Sequence, residues 1–452
     1  MSAARRIGIL AGGGSLPREV ADAVVARGLP LHIVAIDGEA DADFGPYPVT
    51  RVNWGEIGRM VATFQQSGCT DLVIIGSVTR PDLATIKPDL GFFKALGTIA
   101  GLVLAGGDDG VLRGVIRFFE RHGLTVVGPT EVAPELTIGA GGPIAGAMSP
   151  EVVSDARVGF GIIAELGRLD IGQAAVVSGG RLEALEAAEG TDRMLERLAE
   201  QRRAAGHGPV VAQGVLIKRT KPGQDLRIDL PVIGPETVRR AVACGLAGIV
   251  VEAGRALAAD RGELQSRAAA RGLTVAGMEI DPSSEGRNRA REQKSVSMRL
   301  LHNLKARRAA RGLELRPLGR HKAPARVLRD VMTSLQVMTA MRPIGGARTV
   351  VVVRGHVLAV ETGEGVAAAL SRAAGLRQWG DRRLRRRAGI AAIDAGRDCE
   401  PDLIEIVAKA GFAGIVVKLR RFTAGVPTEA IAAADKAGVF IVGIAAEEAG
   451  DG

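Results

Sequence analysis

Short apolar runs alternate with helical patterns along the first third of the chain. The runs at residues 7–11, 31–36, 71–75 and 124–127 predict buried strands. Strands that alternate with helices indicate right-handed βαβ units and a parallel sheet. Ligands of such sheets bind at the carboxyl ends of the strands. We therefore expect residues 1–138 to form a Rossmann-like α/β domain that binds its ligand at that edge.

The remainder of the chain contains one apolar pattern twice. Gly245-Leu-Ala-Gly-Ile-Val-Val251 recurs 166 residues later as Gly411-Phe-Ala-Gly-Ile-Val-Val417. Upstream, Val176-Val177 recurs 175 residues later as Val351-Val352. Repeats at a fixed spacing indicate repeated structure. The second copy therefore lacks about nine residues near residues 221–231, and the chain is predicted to hold a second α/β domain and a degenerate duplicate of it.

Glycine, proline and charge mark the predicted boundaries between these domains. Residues 139–150 contain six glycines or prolines and read as a hinge. We predict a catalytic α/β domain at 151–280, a basic linker at 281–322 and the degenerate repeat at 323–450.

The composition of the 452-residue chain is that of an α/β protein, with 46% apolar and 3% aromatic residues. Cys69, Cys244 and Cys399 are isolated, which favours a reducing compartment and a mechanism without a thiol. No apolar run approaches the length of a spanning helix, so we expect a cytoplasmic protein.

The formal charge of +9 is concentrated in one segment, because residues 282–330 hold fourteen Lys or Arg against four Asp or Glu. Val296, Leu300 and Leu304 recur there at helical spacing and predict a basic amphipathic helix. Such a helix can dock on the anionic inner-membrane surface. The alternatives are a solvated tether and nucleic-acid binding, although no nucleic-acid-binding fold accompanies the charge.

Polar residues follow the predicted strands of the first domain. The glycines after the first strand resemble a dinucleotide loop, except that Pro17 replaces the third glycine of that fingerprint. Their N–H groups could approach a phosphate or sugar nucleotide, or the turn could serve packing alone. Asp37 ends the second strand as a ribose ligand or a helix cap, and Arg80 follows the third strand. The candidate substrate-binding residues of this domain are Gly12, Gly13, Gly14, Ser15, Asp37 and Arg80.

The stretch 216–235 carries the densest chemistry. Cations lie among carboxylates, and Pro222-Gly223 predicts a turn that presents the next two residues. Cleavage of a pyrophosphate needs cations around the non-bridging oxygens and a carboxylate that binds metal or orients water. Oxygen ligands favour Mg²⁺ or Mn²⁺. The alternative is a solvated charged loop. The candidate catalytic residues are Lys218, Lys221, Gln224 and Asp225, and Asp229 is a candidate for substrate binding.

A second acidic group precedes a predicted helix. Glu189 survives in the repeat as Glu364, whereas Thr191-Asp192 becomes Val366-Ala367. The loss of Thr191-Asp192 together with the Asp225 motif favours one shared site, although either residue could be an N-cap. Glu252 becomes Lys418 in the same comparison. We count Glu189, Thr191, Asp192 and Glu252 as substrate-binding candidates, and Asp225 and Asp192 as metal candidates.

Five motifs in order resemble one family, the UDP-2,3-diacylglucosamine pyrophosphatases of lipid A biosynthesis of the LpxI type, which are unrelated to metallophosphoesterases. The motifs are Gly8-Ile-Leu-Ala-Gly-Gly-Gly-Ser-Leu-Pro17, Gly76-Ser-Val-Thr-Arg-Pro81, Gly107-Asp-Asp109, Glu189-Gly-Thr-Asp192, and Lys221-Pro-Gly-Gln-Asp225 with Asp229-Leu-Pro231. The resemblance spans residues 5–280. It implies Mg²⁺-dependent hydrolysis to UMP and 2,3-diacylglucosamine 1-phosphate (lipid X), with water attacking the β-phosphorus and Asp225 as the essential aspartate.

The resemblance also implies a homodimer, although the repeat could replace a partner subunit's domain. A sugar-nucleotide or lipid-sensing regulator without catalysis is the competing hypothesis, because the chain carries an extra degenerate domain. An NAD-dependent oxidoreductase is disfavoured by the missing fingerprint glycine.

Overall fold

The structure is a computed structural model. It describes residues 5–78, 108–206, 212–280, 315–377, 387–394, 398–419 and 425–445. The contacts divide the chain into two compact units that are not consecutive in sequence. The N-terminal unit comprises residues 1–147, 223–239 and 251–278, and the other unit comprises residues 148–222, 240–250 and 279–452.

The N-terminal sheet has five parallel strands in the order β3-β2-β1-β4-β5. Its elements are β1 (Ile7–Ala11), α1 (Leu16–Ala26), β2 (Leu31–Ile36), β3 (Val49–Val52), α2 (Ile57–Gln66), β4 (Asp71–Ile75), α3 (Asp108–Arg121), β5 (Thr125–Val126) and α4 (Pro129–Val132). The order changes direction between β1 and β4, the usual ligand position in such sheets.

Both faces of this sheet are covered, as a parallel sheet requires. Residues such as Ile9 and Ile33 pack on one side with α1, and residues such as Leu10 and Val34 pack on the other with Phe64 of α2. The predicted parallel α/β fold is confirmed. The edge strand β3 escaped prediction because its sequence, Val-Thr-Arg-Val, is short and only its last residue is buried.

The first copy of the repeated domain is built on a mixed sheet of order β12-β10-β8-β6-β7. Its elements are α5 (Pro150–Gly167), β6 (Ala174–Ser178), β7 (Arg181–Leu185), α6 (Gly190–Ala204), β8 (Val215–Lys218), β9 (Val232–Ile233), α7 (Pro235–Ala243), β10 (Gly248–Glu252), β11 (Leu257–Ala258), α8 (Arg261–Ala269) and β12 (Thr274–Met278). Strands β9 and β11 form a separate two-stranded sheet.

The second copy repeats this layout in a six-stranded sheet of order β13-β18-β17-β16-β14-β15. Its elements are β13 (Leu315–Pro317), α9 (Leu328–Met341), β14 (Thr349–Val353), β15 (His356–Val360), α10 (Val366–Leu376), β16 (Ile390–Ile393), α11 (Pro401–Lys409), β17 (Gly414–Leu419), α12 (Thr428–Ala437) and β18 (Phe440–Ala445).

The two copies agree down to an irregularity of their hairpins. The β6–β7 ladder shifts register between Val176 and Val177, and the β14–β15 ladder shifts between Val351 and Val352, the equivalent pair. The next antiparallel ladder also matches, since Ala174 pairs with Lys218 and Thr349 pairs with Ile393. The predicted duplication of the fold is therefore confirmed at the level of strand register.

The nine extra residues of the first copy lie between β8 and α7. This segment contains the Asp225 turn and β9, and from residue 223 onward it belongs to the N-terminal unit. In the described part of the second copy, no strand is assigned between β16 and α11. Among the described residues, no helix has the length and apolarity needed to span a membrane.

Candidate functional site

A rigid turn presents Asp225, as the Pro-Gly sequence predicts. Gly223 adopts a φ of +80°, a left-handed conformation that favours glycine. The Asp225 carbonyl then accepts hydrogen bonds from the amides of Ile228 and Asp229, at 3.2 and 3.1 Å. The backbone around Asp225 is thereby fixed on both sides.

Arg227 clamps the Asp225 carboxylate. Its Nε donates to Oδ1 at 2.9 Å, its Nη2 donates to Oδ2 at 2.8 Å, and its backbone N–H also reaches Oδ1 at 3.2 Å. Bidentate guanidinium pairing fixes the plane as well as the position of a carboxylate. These hydrogen bonds hold the pKa of Asp225 below its usual range, so the side chain is an anion at neutral pH.

The Asp225 turn is anchored on the N-terminal domain. The Nη1 of Arg227 donates to Glu120 of α3 at 2.8 Å. The positive charge of Arg113, in the same helix, also lowers the pKa of Asp225. Ile228 packs against the hydrophobic cluster that contains Phe64. Arg227 is one of the cations that the sequence places among the carboxylates of this stretch. Glu120 and Arg113 were not predicted as site residues, because their contacts with this stretch depend on the fold.

The predicted catalytic residues divide between the two units. Gln224 is buried and belongs with Asp225 to the N-terminal unit. Lys221 belongs to the other unit, where its Nζ bonds Asp170 at 2.7 Å. Lys218, also in that unit, is the last residue of β8 and is only 6% exposed.

Lys218 lies in a buried electrostatic group with Glu186, which the sequence analysis did not select. Burial raises the pKa of Glu186 and lowers the pKa of Lys218, and attraction between the two charges opposes both shifts. Thr191 donates to Glu186 at 3.2 Å, and Asp192 also favours the charged form of Lys218. Thr191 and Asp192 are not N-caps, because α6 begins at Gly190 after Glu189. The structure thus brings together Lys218, Thr191 and Asp192 of the predicted set.

The backbone amides of the three glycines after β1 donate to oxygen atoms of the protein. Gly12 N–H donates to Ile75 and Gly13 N–H donates to Ser77, at 2.9 and 2.7 Å. Gly14 N–H donates to Asp41 Oδ1 at 2.7 Å. A Cβ on Gly12 would lie 2.4 Å from the Ser77 carbonyl oxygen, so glycine is needed for close approach of the β1 and β4 loops. This geometry agrees with the packing alternative, and Gly12, Gly13 and Gly14 stay predicted substrate-binding residues.

The remaining candidates occupy separate positions. Ser15 Oγ donates to Glu19 at 2.7 Å, and Asp37 is half exposed and 4.0 Å from Arg51. Glu252 is buried and 3.3 Å from Arg255. Asp229 is partly buried just after the Asp225 turn. Arg80 lies outside the described residues.

Glu189 is buried among arginine side chains. Its side chain is 2% exposed and pairs with Arg197 of its own copy and Arg372 of the repeat. The sequence could not reveal this role, because the pairing depends on where the second copy folds. Glu189 therefore takes part in a buried group of ion pairs, and it stays a predicted substrate-binding residue.

The described residues provide no complete protein cage for a metal ion, since no group of three His, Cys, Asp or Glu side chains could hold one. Asp225 can still supply one ligand, because in the described part of the chain its Oδ2 accepts a single hydrogen bond. Mg²⁺ commonly takes one or two carboxylates and completes its shell with water and substrate phosphates. The Asp225 site fits such an ion. Asp192, which lies 3.5 Å from Arg240, belongs to the other unit and stays a predicted ligand.

Comparison with known proteins matches one N-terminal and two C-terminal segments of the chain. A family model for the LpxI N-terminal domain matches residues 6–136. The model for the LpxI C-terminal domain matches twice, at residues 140–276 and 316–442. The chain belongs to the LpxI family. The resemblance found in the sequence is confirmed.

A curated member of the LpxI family aligns with the first two segments. Over 280 residues the chain is 39% identical to the UDP-2,3-diacylglucosamine pyrophosphatase LpxI of Caulobacter vibrioides. The alignment covers 62% of this chain and 98% of that relative. This chain therefore carries nearly the full length of an LpxI protein and, in addition, a second LpxI C-terminal domain.

Proposed function

We propose that the chain hydrolyses the diphosphate of UDP-2,3-diacylglucosamine, releasing UMP and 2,3-diacylglucosamine 1-phosphate, as an enzyme of lipid A biosynthesis. The observation that carries this proposal is Asp225, held as an anion by Arg227 on a segment that the degenerate repeat lacks. We assign catalysis to residues 151–280 together with the N-terminal domain and assign none to 323–450.

Asp225 acts as an anionic anchor in the proposed mechanism. A carboxylate whose pKa is lowered is a weak base, so Asp225 serves to orient the attacking water and hold a cation rather than to retain a proton. Mg²⁺, when bound through Asp225, would neutralise non-bridging oxygens of the diphosphate. Water attacks the β-phosphorus, the bond from that phosphorus to the bridging oxygen breaks, and UMP leaves. Lys221 and Lys218 stay predicted catalytic residues.

Release of UMP by the purified full chain tests this function. We expect turnover of UDP-2,3-diacylglucosamine with Mg²⁺ that EDTA abolishes, and a decrease of roughly 10³-fold in Asp225→Ala. Asp394→Ala removes an aspartate of the repeat instead, and this control should keep near-native activity. Absence of UMP release, or full activity of Asp225→Ala, would overturn the assignment.

A regulator that binds the same substrate without turnover is the second candidate, because the repeat carries the fold without the Asp225 segment. Isothermal titration separates the candidates. The regulator requires tight substrate binding by the native chain and turnover no faster than that of Asp225→Ala.

We also propose that the basic segment brings the enzyme to the cytoplasmic face of the inner membrane, where a diacylated substrate resides. The charge excess at residues 282–330 supports this proposal, although the predicted amphipathic helix lies outside the described residues. Co-sedimentation with vesicles that contain anionic phospholipid is the test. Deletion of 282–314 should abolish binding, and unchanged binding would favour a solvated tether.

A further inference from the structure

Four charged residues join the two copies in a symmetric pattern. Arg197 pairs with Glu189 of its own copy at 3.3 Å and with Glu364 of the other copy at 2.8 Å. Arg372 pairs with Glu364 of its own copy and with Glu189 of the other copy, the latter at 3.0 Å. Glu364 and Arg372 are the positions 175 residues after Glu189 and Arg197. Each copy thus offers the same two side chains to the other, as in an isologous two-fold interface.

These contacts are buried. Glu189 and Glu364 are each 2% exposed, and Arg197 and Arg372 are 12% and 13% exposed. Buried charges require partners, and removal of one partner is strongly unfavourable. The set has two positive and two negative side chains, and each arginine pairs with a glutamate of both copies.

Apolar contacts repeat the same relation between the copies. Helix α5 packs against α9, its equivalent in the second copy. Ala188, next to Glu189, packs against the hydrophobic core of the repeat, which contains Leu370 and Phe412. Hydrolysis does not explain why the repeat carries Glu364 and Arg372, because the repeat has Ile393 in place of Lys218 and lacks the Asp225 segment.

We propose that the repeat takes the place of a partner subunit within the same chain. It covers the face of the catalytic copy that, in a pair of identical domains, the second domain would cover. The partner that this face recognises is a second copy of the same domain, and here one chain supplies both. The chain is therefore a monomer with respect to this interface.

Cleavage of the folded full chain between the copies tests the proposal. A site for a sequence-specific protease is placed within 281–314, and light scattering after size exclusion gives the mass before and after cleavage. We expect 46.9 kDa for the uncut chain, and the cut halves should stay together at the same mass. Separation of the cut halves would overturn the proposal.

Charge reversal tests the four residues directly. Glu364→Arg with Arg372→Glu keeps the pair inside the repeat but makes both cross-copy pairs repulsive. The affinity between the cut halves should fall more than about 100-fold. Adding Glu189→Arg and Arg197→Glu restores every pair and should recover association to within about 10-fold of native.

A milder variant separates the loss of attraction between the copies from the introduction of repulsion. Glu364→Gln removes one cross-copy charge without repulsion and should weaken association about 10-fold. Circular dichroism of the uncut variants verifies folding. Equal affinity between the cut halves of the native chain, of the Glu364→Arg with Arg372→Glu variant and of Glu364→Gln would show that these residues do not form the interface.

Discussion

Each copy of the repeated domain buries a glutamate at the same position, but the two carboxylates have different partners. In the first copy, Glu186 accepts from the Gln173 amide and the Thr191 hydroxyl and is attracted by Lys218. In the second copy, Glu361 accepts from three backbone amides, those of Arg348, Gly363 and Gly365, at 3.1, 2.9 and 3.1 Å.

The strand position of Lys218 is occupied in the second copy by Ile393, which is fully buried. The fold therefore tolerates an apolar residue at this position when amides satisfy the carboxylate. The comparison indicates that a lysine here is not a requirement of the fold itself. Lys218 stays a predicted catalytic residue, and four changes test the differences between the two copies.

Lys218→Ile makes the first copy resemble the second and should have the largest effect. Because Glu186 loses a nearby cation while it stays buried, the free energy of unfolding should fall by about 3–5 kcal/mol, measured by urea denaturation. UMP release should fall at least about 100-fold.

The double variant Lys218→Ile with Glu186→Gln separates the two effects. It should recover most of the stability, because no unpaired charge is buried, while activity stays low. Recovery of activity together with stability would show that Lys218 is structural only.

Asp330→Asn changes a carboxylate at a turn that both copies contain. Asp330 accepts from the Gly355 amide at 2.6 Å, as Asp155 accepts from Gly180 at 2.7 Å. Burial raises the pKa of Asp330 to about 6. Because this pKa is higher in the folded than in the unfolded chain, the stability that Asp330 contributes is full below about pH 4 and is lost as the pH rises to about 6.

Asn does not titrate in this range. Thermal unfolding at pH 7 should therefore show that Asp330→Asn is more stable than the native chain by up to about 3 kcal/mol, and this gain should be absent at pH 4. Asp155→Asn is the matched control for the turn in the first copy. A gain that is equal at both pH values would contradict burial of an ionised Asp330.

Arg227→Ala removes a residue of the segment that the second copy lacks. Loss of the clamp should lower kcat/KM about 10- to 100-fold, because the Asp225 carboxylate is no longer held in one plane. The pKa of Asp225 should rise toward its ordinary value, so the acidic limb of the kcat/KM profile moves to higher pH. Arg239→Ala, at an exposed ion pair with Glu236, is the control and should match the native chain. An unmoved acidic limb would argue against the clamp.

Lys418→Glu should have the smallest effect. Lys418 lies 3.6 Å from Asp394, and the equivalent residues of the first copy, Glu252 and Arg219, have the opposite charges. The single change juxtaposes two carboxylates and should cost about 1 kcal/mol of stability. Adding Asp394→Arg adopts the charges of the first copy and should restore stability to within about 0.5 kcal/mol in a double-mutant cycle. Additive losses would show that the two positions do not interact.

The sequence was sufficient for the fold because apolar strand runs and their spacing are local. The runs at Ile7–Ala11 and Leu31–Ile36 give the parallel sheet, and the glycines shared by the copies give the duplication. It was sufficient for the Asp225 turn because Pro-Gly chemistry is local as well. It could not show that α3 supplies Glu120 to Arg227, or that Glu189 faces Arg372, because both depend on contacts between residues far apart in the chain.

The location of the nine extra residues has a consequence for how such a protein can evolve. They connect β8 to α7 without taking part in the β6–β8 ladder, and the corresponding β14–β16 ladder keeps its register without them. Loss of the segment from a duplicated domain would therefore have cost little in folding. A duplicate of this kind can persist as a folded domain that keeps its contacts with the first copy and lacks the segment that carries Asp225.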